Sequence, residues 1–354
     1  MEVKKDTNES IKKVLPVNYP MITTYTQHAH LLSILSNYEC TYPWIFSNYI
    51  QLYINKDYRH NWGDFYFPFP YEMRPSDTCK WILTKKIDRD VADSKWGNII
   101  NFIIDSINSN NYVHTMLNSF CVPLAPNYNK EHFKHDVLVY GYDLKEEMLY
   151  CSDFFGISYK YSFEKISFID YTKAFNAYGL ATNRDYLNKM VYLYKLNSEY
   201  DYKFEYDYKF NIKNISNSIK DYLNSSIPEY WDIYNTDNRD NIVFGIEIYD
   251  TLKNYLASKS GSNVDHIDTR PFYLIFDHKK MMILRLKYLL GLGYYKDCNS
   301  ENIDGIAKLE MQAKDVVNMI MKYNISKNGT ILNDVIKMLN SIERDERNIL
   351  LQYT

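Results

Sequence analysis

Apolar and polar positions are most sharply patterned between His135 and Asp153. Val137-Leu138-Val139-Tyr140 and Met148-Leu149-Tyr150 are two apolar runs, separated by the charged Asp143-Leu144-Lys145-Glu146-Glu147. The pattern predicts a β-hairpin with a histidine entering its first strand and an aspartate leaving its second. Upstream, Leu31, Leu32, Ile34 and Leu35 are spaced for a helix packed into a core across 26–38. Residues 43–54 are aromatic and mostly apolar. Gly63, Pro68, Pro70 and Pro75 predict a long loop over 61–75. A helix is predicted over 95–107, and a strand with its turn over 113–124.

In the second half, Tyr202, Phe204, Tyr206, Tyr208, Phe210 and Ile212 alternate with Lys203, Glu205, Asp207, Lys209 and Asn211, which predicts a strand with one apolar face. Helical periodicity follows over about 213–225, 243–259, 271–291, 306–323 and 330–351, with Asp304 and Asn328-Gly329-Thr330 as cap and turn signals. The expected fold class is α+β. An N-terminal domain with an antiparallel sheet covers 1–175, and a strand plus a mainly helical region covers 176–354.

Composition narrows the classes. The 354 residues suit two domains or one large one, and 46% hydrophobic with 24% charged residues is ordinary for a globular chain. A net charge of −3 implies no broad basic surface, so nucleic acid is not an expected partner. Cys40, Cys79, Cys121, Cys151 and Cys298 form no CxxC pair, which fits a reducing cytoplasm and argues against a zinc site. The first residues are charged and lack the apolar stretch of a signal peptide, and no apolar run reaches the roughly 20 residues that span a bilayer. With no Walker sequence or GxGxxG, a nucleotide-driven ligase is disfavoured.

The hairpin supplies the candidate chemistry. Folding it brings His135 and Asp153 together, and a carboxylate on one imidazole nitrogen leaves the other free to take a proton. A nucleophile is then required. Papain-like enzymes place it at the start of a core helix, where the helix dipole lowers a thiol pKa. The helix that fits here begins Thr26-Gln27-His28-Ala29-His30 and has no cysteine. Cys40 is an alternative nucleophile; Cys121 and Cys151 fall in apparent strands and read as packing. Gln27 is a candidate oxyanion donor, with a surface polar residue as the plain alternative. Trp44 and Trp62 are candidate substrate-lining residues, although core or loop packing is the commoner role. His28 and His30 are two apart, which on a helix separates them to different faces and disfavours a metal pair. Lys279, Lys280, Arg285 and Lys287 read as a solvated helix face or a docking patch for an acidic partner.

His28-Ala29 with Leu31-Leu32-Ser33-Ile34-Leu35 resembles the His-Cys helix start of the butirosin-type acyltransferases, a papain-like family related to the bacteriocin-processing cysteine peptidases. His135-x-Val137-x-x-x-Gly141-x-Asp143 and Asp153 resemble the second motif of that group. The likeness covers about residues 20–170 and extends loosely to Phe244-Gly245-x-x-x-Tyr249-Asp250 and Asp277-His278-Lys279-Lys280. Within the group it points to the amide-forming enzymes of polythioamide biosynthesis. The resemblance implies a papain-like fold and a cysteine at position 29, which stands as Ala29 by engineering or by nature. It implies His135 as base and Asp153 as its orienting group. It also implies transfer of an acyl group from the phosphopantetheine of a carrier protein, through a cysteine thioester, to a small amine or diamine, with no cofactor of the enzyme's own. A cysteine peptidase and a catalytically dead binding protein are the alternatives.

Overall fold

The computed structural model describes residues 11–56, 63–67, 74–156, 160–181, 189–197, 211–227, 241–259, 266–295 and 300–354. Trp62, Cys298 and the predicted strand as far as residue 210 lie outside them, and Ile212 already begins a helix. The chain divides into two compact units. One combines Met1–Glu39 with Arg74–Glu205, and the other combines Cys40–Met73 with Tyr206–Thr354. The division is thus not the single boundary expected near residue 175. The first unit extends past 175 because a strand there, Met190–Leu196, pairs on both sides within its sheet.

That sheet holds β1 (Lys12–Val14), β4 (Ile82–Asp88), β5 (Tyr112–Asn118), β6 (Lys134–Asp143), β7 (Met148–Phe155), β8 (Lys160–Ser167) and β9 (Met190–Leu196). Its order is β4-β9-β5-β6-β7-β8, with β1 paired to β6, and its pairings are antiparallel. β6 and β7 are the hairpin read from the sequence, and Asp143 closes its turn by accepting from the backbone N–H groups of Lys145 and Glu146, both at 3.1 Å. A register shift falls between Val139 and Gly141. Gly141 is required there, because a Cβ would stand 2.6 Å from the Lys13 carbonyl of β1.

The first unit's helices are α1 (Thr26–Leu35), with α3 (Pro75–Thr78), α4 (Arg89–Trp96), α5 (Ile99–Asn108) and α6 (Phe168–Asn176); the short α2 (Tyr42–Ser47) belongs to the second unit. The single helix expected at 95–107 is two. Gly97 adopts φ 78°, which ends α4, and the Asn98 side chain caps α5 by accepting from Asn101 N–H at 2.9 Å. α1 is buried from His28 to Leu35, the polar His28, His30 and Ser33 being covered along with its apolar residues.

The second unit holds a small sheet, β10 (Ile242–Phe244), β2 (Leu52–Asn55) and β3 (Gly63–Phe65), and the helices α7 (Ile212–Leu223), α8 (Ile248–Lys259), α9 (Arg270–Gly291), α10 (Ser300–Ser326) and α11 (Thr330–Leu350). Asp304 lies inside α10 rather than at its start, whereas Asn328 does receive the Thr330 N–H and hydroxyl at 3.1 and 2.8 Å. No helix among the described residues is long and apolar enough to cross a membrane.

The basic cluster of α9 is divided: Lys279 and Arg285 are fully buried, whereas Lys280 is half-buried and Lys287 is exposed. Lys279 donates to Glu346 of α11 and, at 2.9 Å, to Nδ1 of His278, whose Nε2–H donates to the Ile50 carbonyl at 2.8 Å. The hydroxyls of Tyr222 and Tyr249 donate to the other Glu346 oxygen at 3.2 and 2.9 Å. Arg285 donates to the carbonyls of Phe46, Asn48 and Tyr49 at 2.7, 2.6 and 3.0 Å, satisfying the end of α2. Burial lowers the Lys279 pKa, and Glu346 opposes it. An uncompensated charge here is costly, so Glu346→Ala is expected to destabilise the protein by about 3–5 kcal/mol. Adding Lys279→Met should recover more than half of that loss, as measured by urea unfolding.

Candidate active site

The site is built where the hairpin opens. The β6–β7 ladder runs from Asp143↔Met148 to Leu138↔Ser152, and β7 then continues against β8 as far as Phe155↔Lys160. The entrance of β6 is held on its other side by β5, with His135 opposite Leu117. Across this mouth His135 Nδ1 lies 2.8 Å from Asp153 Oδ2. The second Asp153 oxygen accepts from the Phe154 N–H at 2.6 Å. The Asp153 side chain is buried while that of His135 is 36% exposed. With Nδ1–H donating to the carboxylate, Nε2 is the ring atom left for a substrate.

The electrostatics follow from this placement. Burial lowers the His135 pKa, but the Asp153 charge and hydrogen bond, helped by Asp136, outweigh it and lift the imidazole to about 9. Burial of Asp153 works against its own charge and raises its pKa, with His135 opposing.

A second carboxylate–imidazole pair sits beside the first. His135 and Asp136 are consecutive on a strand, so their side chains leave β6 in opposite directions. Asp136 Oδ1 accepts from His114 Nε2 of β5 at 2.5 Å and from both terminal nitrogens of Arg74 at 3.3 Å. The Tyr194 hydroxyl of β9 donates to His114 Nδ1 at 2.9 Å, and Arg74 lies over the Tyr192 ring at 4.5 Å. Burial would raise the Asp136 pKa, yet Arg74 and His114 hold it well below the usual carboxylate range. Burial, reinforced by Arg74, keeps His114 below the ordinary histidine value. Arg74, His114 and Tyr194 were not singled out in the sequence. They lie on separate segments, and the only signal was the His135-Asp136 doublet.

α1 meets this second pair through Thr26, whose hydroxyl donates to Asp136 Oδ2 at 3.1 Å. Further along α1, His30 Nδ1 is 2.9 Å from the Tyr161 hydroxyl, which also meets the Ser152 hydroxyl at 2.8 Å. Burial is the main reason that the His30 pKa falls well below the ordinary value, and neighbouring His114 adds to it. Ala29 is 0% exposed. The hydrogen bonds therefore join His135 to Asp153 and Thr26 of α1 to Asp136 of β6, while Ala29 has no polar side-chain group to take part. Gln27 stands half-exposed in the first turn of α1. Trp44 belongs to the second unit, where it is buried with its ring edge-on to Tyr49 at 6.3 Å, so it is a core residue. Cys79, Cys121 and Cys151 are buried, and burial pushes the Cys79 thiol up to about 12 and the Cys151 thiol well above its usual range. Among the described residues no group of His, Cys, Asp or Glu side chains is arranged to hold a metal ion.

No protein-family model matches this sequence, and no curated protein matches it.

The two imidazole environments have opposite pH signatures. The folded pKa of His135 is raised from 6.5 to about 9, so its contribution to stability is complete below 6.5 and is lost as pH rises through about 9. His30 and His114 are lowered, so their contribution is present above 6.5 and is lost as pH falls. Thermal melts across pH are expected to show stability declining on both sides. Asp153→Asn should flatten the alkaline decline alone and move the His135 titration, followed by NMR, toward 6.5.

Proposed function

We propose that the first unit is a papain-like acyl-transfer domain that joins an acyl group, delivered as a carrier-protein thioester on phosphopantetheine, to a small amine or diamine as an amide. The observation that supports this reading is the His135 Nδ1–Asp153 bond of 2.8 Å, with the imidazole 36% exposed and its carboxylate buried. That arrangement is suited to moving a proton at Nε2 next to a substrate carbonyl. A thioester is already activated toward amines, so the reaction needs no nucleotide. Whether amine or water accepts the acyl group depends on how well the site positions the amine and excludes water. The sequence resemblance to amide-forming members of the butirosin-type group is what favours amide formation over peptide hydrolysis.

One observation favours a second reading. The helix position where the resemblance calls for cysteine holds Ala29, completely covered by the fold. A protein that kept the fold and lost the reaction would bind the acyl carrier or its ligand without converting it.

A single assay separates these readings. Purified protein is mixed with an acyl-loaded carrier protein and ethylenediamine, and the products are resolved by mass spectrometry. Amide is the expected product. Free acid alone points to a hydrolase, and carrier binding without conversion points to the binding protein. Loss of His135 should lower amide formation by on the order of 10²–10⁴-fold, the usual contribution of a general base.

A further inference from the structure

We propose that the His135–Asp153 pair takes the proton from the amine acceptor itself, so that the acyl group passes from the carrier thioester directly to the amine and no acyl-enzyme forms on α1. The inference rests on the acyl-transfer reading above and replaces the cysteine-thioester step that the sequence resemblance implies.

Three observations carry it. First, Ala29 has no nucleophilic atom and is 0% exposed, so substrate does not reach it. Second, Thr26 of α1 meets β6 with its hydroxyl, which donates to Asp136 at 3.1 Å. Asp136 is no base for that hydroxyl, because Arg74 and His114 bind its other oxygen and hold it as a weakly basic anion. Third, Cys79, Cys121 and Cys151 of this unit are buried, and burial keeps the Cys79 and Cys151 thiols protonated. The proton acceptor at the mouth of the hairpin is the His135 ring, 36% exposed and tethered to Asp153 through Nδ1. Its pKa of about 9 is close to that of an alkylammonium, roughly 10.4 for a lysine-type amine, which is the match that favours transfer between the two.

The step balances without a further reactant. The amine nitrogen forms the C–N bond at the thioester carbonyl carbon, and its proton moves to Nε2 of His135 in its neutral form, the share of which grows as pH rises toward about 9. The C–S bond then breaks. The pantetheine sulfur leaves as a thiol with the proton from the His135 imidazolium, which returns the ring to its starting state. Asp153 stays ionised throughout and acts as a positioning residue.

The test uses the full chain with S-benzoyl-N-acetylcysteamine as acyl donor and ethylenediamine as acceptor. Quenched single-turnover samples are examined by intact-protein and peptide mass spectrometry, before and after treatment with iodoacetamide. The expected result is amide product, no benzoylated protein and an unchanged rate after alkylation, which also covers Cys40 and Cys298. His135→Ala and the bulkier His135→Gln should both lose on the order of 10²–10⁴-fold in rate. Asp153→Asn should shift the pH–rate profile to lower pH. A benzoylated peptide that chases into amide when diamine is added would overturn the direct step while leaving acyl transfer standing. So would loss of rate on alkylation. Free acid alone, or no conversion, removes the acyl-transfer reading and the direct step with it.

Discussion

The pleat of β6 is the constraint on which the first unit's chemistry depends. Because consecutive residues of a strand project oppositely, His135 and Asp136 enter two different environments although they are neighbours in sequence. One becomes an imidazole with a buried carboxylate behind it and solvent before it. The other becomes a carboxylate neutralised by Arg74, hydrogen-bonded by His114 and fastened to the start of α1. A slip of one residue in the β5–β6 register would exchange these environments and place a histidine against Arg74. The register is held by the continuous pairing from Asn118↔Lys134 to Val113↔Val139, and by the close approach of β1 at Gly141, where a side chain does not fit.

The two carboxylate–imidazole pairs differ because their surroundings differ. The cation that acts on Asp153 is His135, so the Asp153 charge raises the imidazole, and below about pH 9 the proton sits on the ring. Asp136 already has Arg74. Its charge is satisfied, and His114 in the same buried cluster stays neutral. The same pair of residue types thus gives a proton-exchanging site in one place and a structural clamp in the other. The second unit applies the clamp logic again: Lys279 and Glu346 neutralise one another in the core while His278, Tyr222 and Tyr249 take up the remaining hydrogen-bonding capacity.

Reading the sequence succeeded where interactions are local. The hairpin, the α1 helix and the long helices after residue 211 each announce themselves through spacing within one segment, and His135 and Asp153 lie at the ends of a single hairpin. It failed where partners come from distant segments. Lys279 and Arg285 looked like a solvated basic face, because their partners Glu346 and the end of α2 are 67 residues or more away. Ala29 drew attention by motif likeness, whereas a hydrogen bond from α1 to β6 comes from the preceding turn, at Thr26.

The chain by itself determined the α+β class, the antiparallel hairpin and the helical second half, since each follows from the period at which apolar side chains recur. Only the tertiary structure decided that residues 40–73 join the second unit, that β9 is inserted between β4 and β5, and that Arg74, His114 and Tyr194 converge on Asp136. Those arrangements are set by which distant strands share a ladder and which buried charges find a counterpart. A local pattern of hydrophobicity carries no record of either.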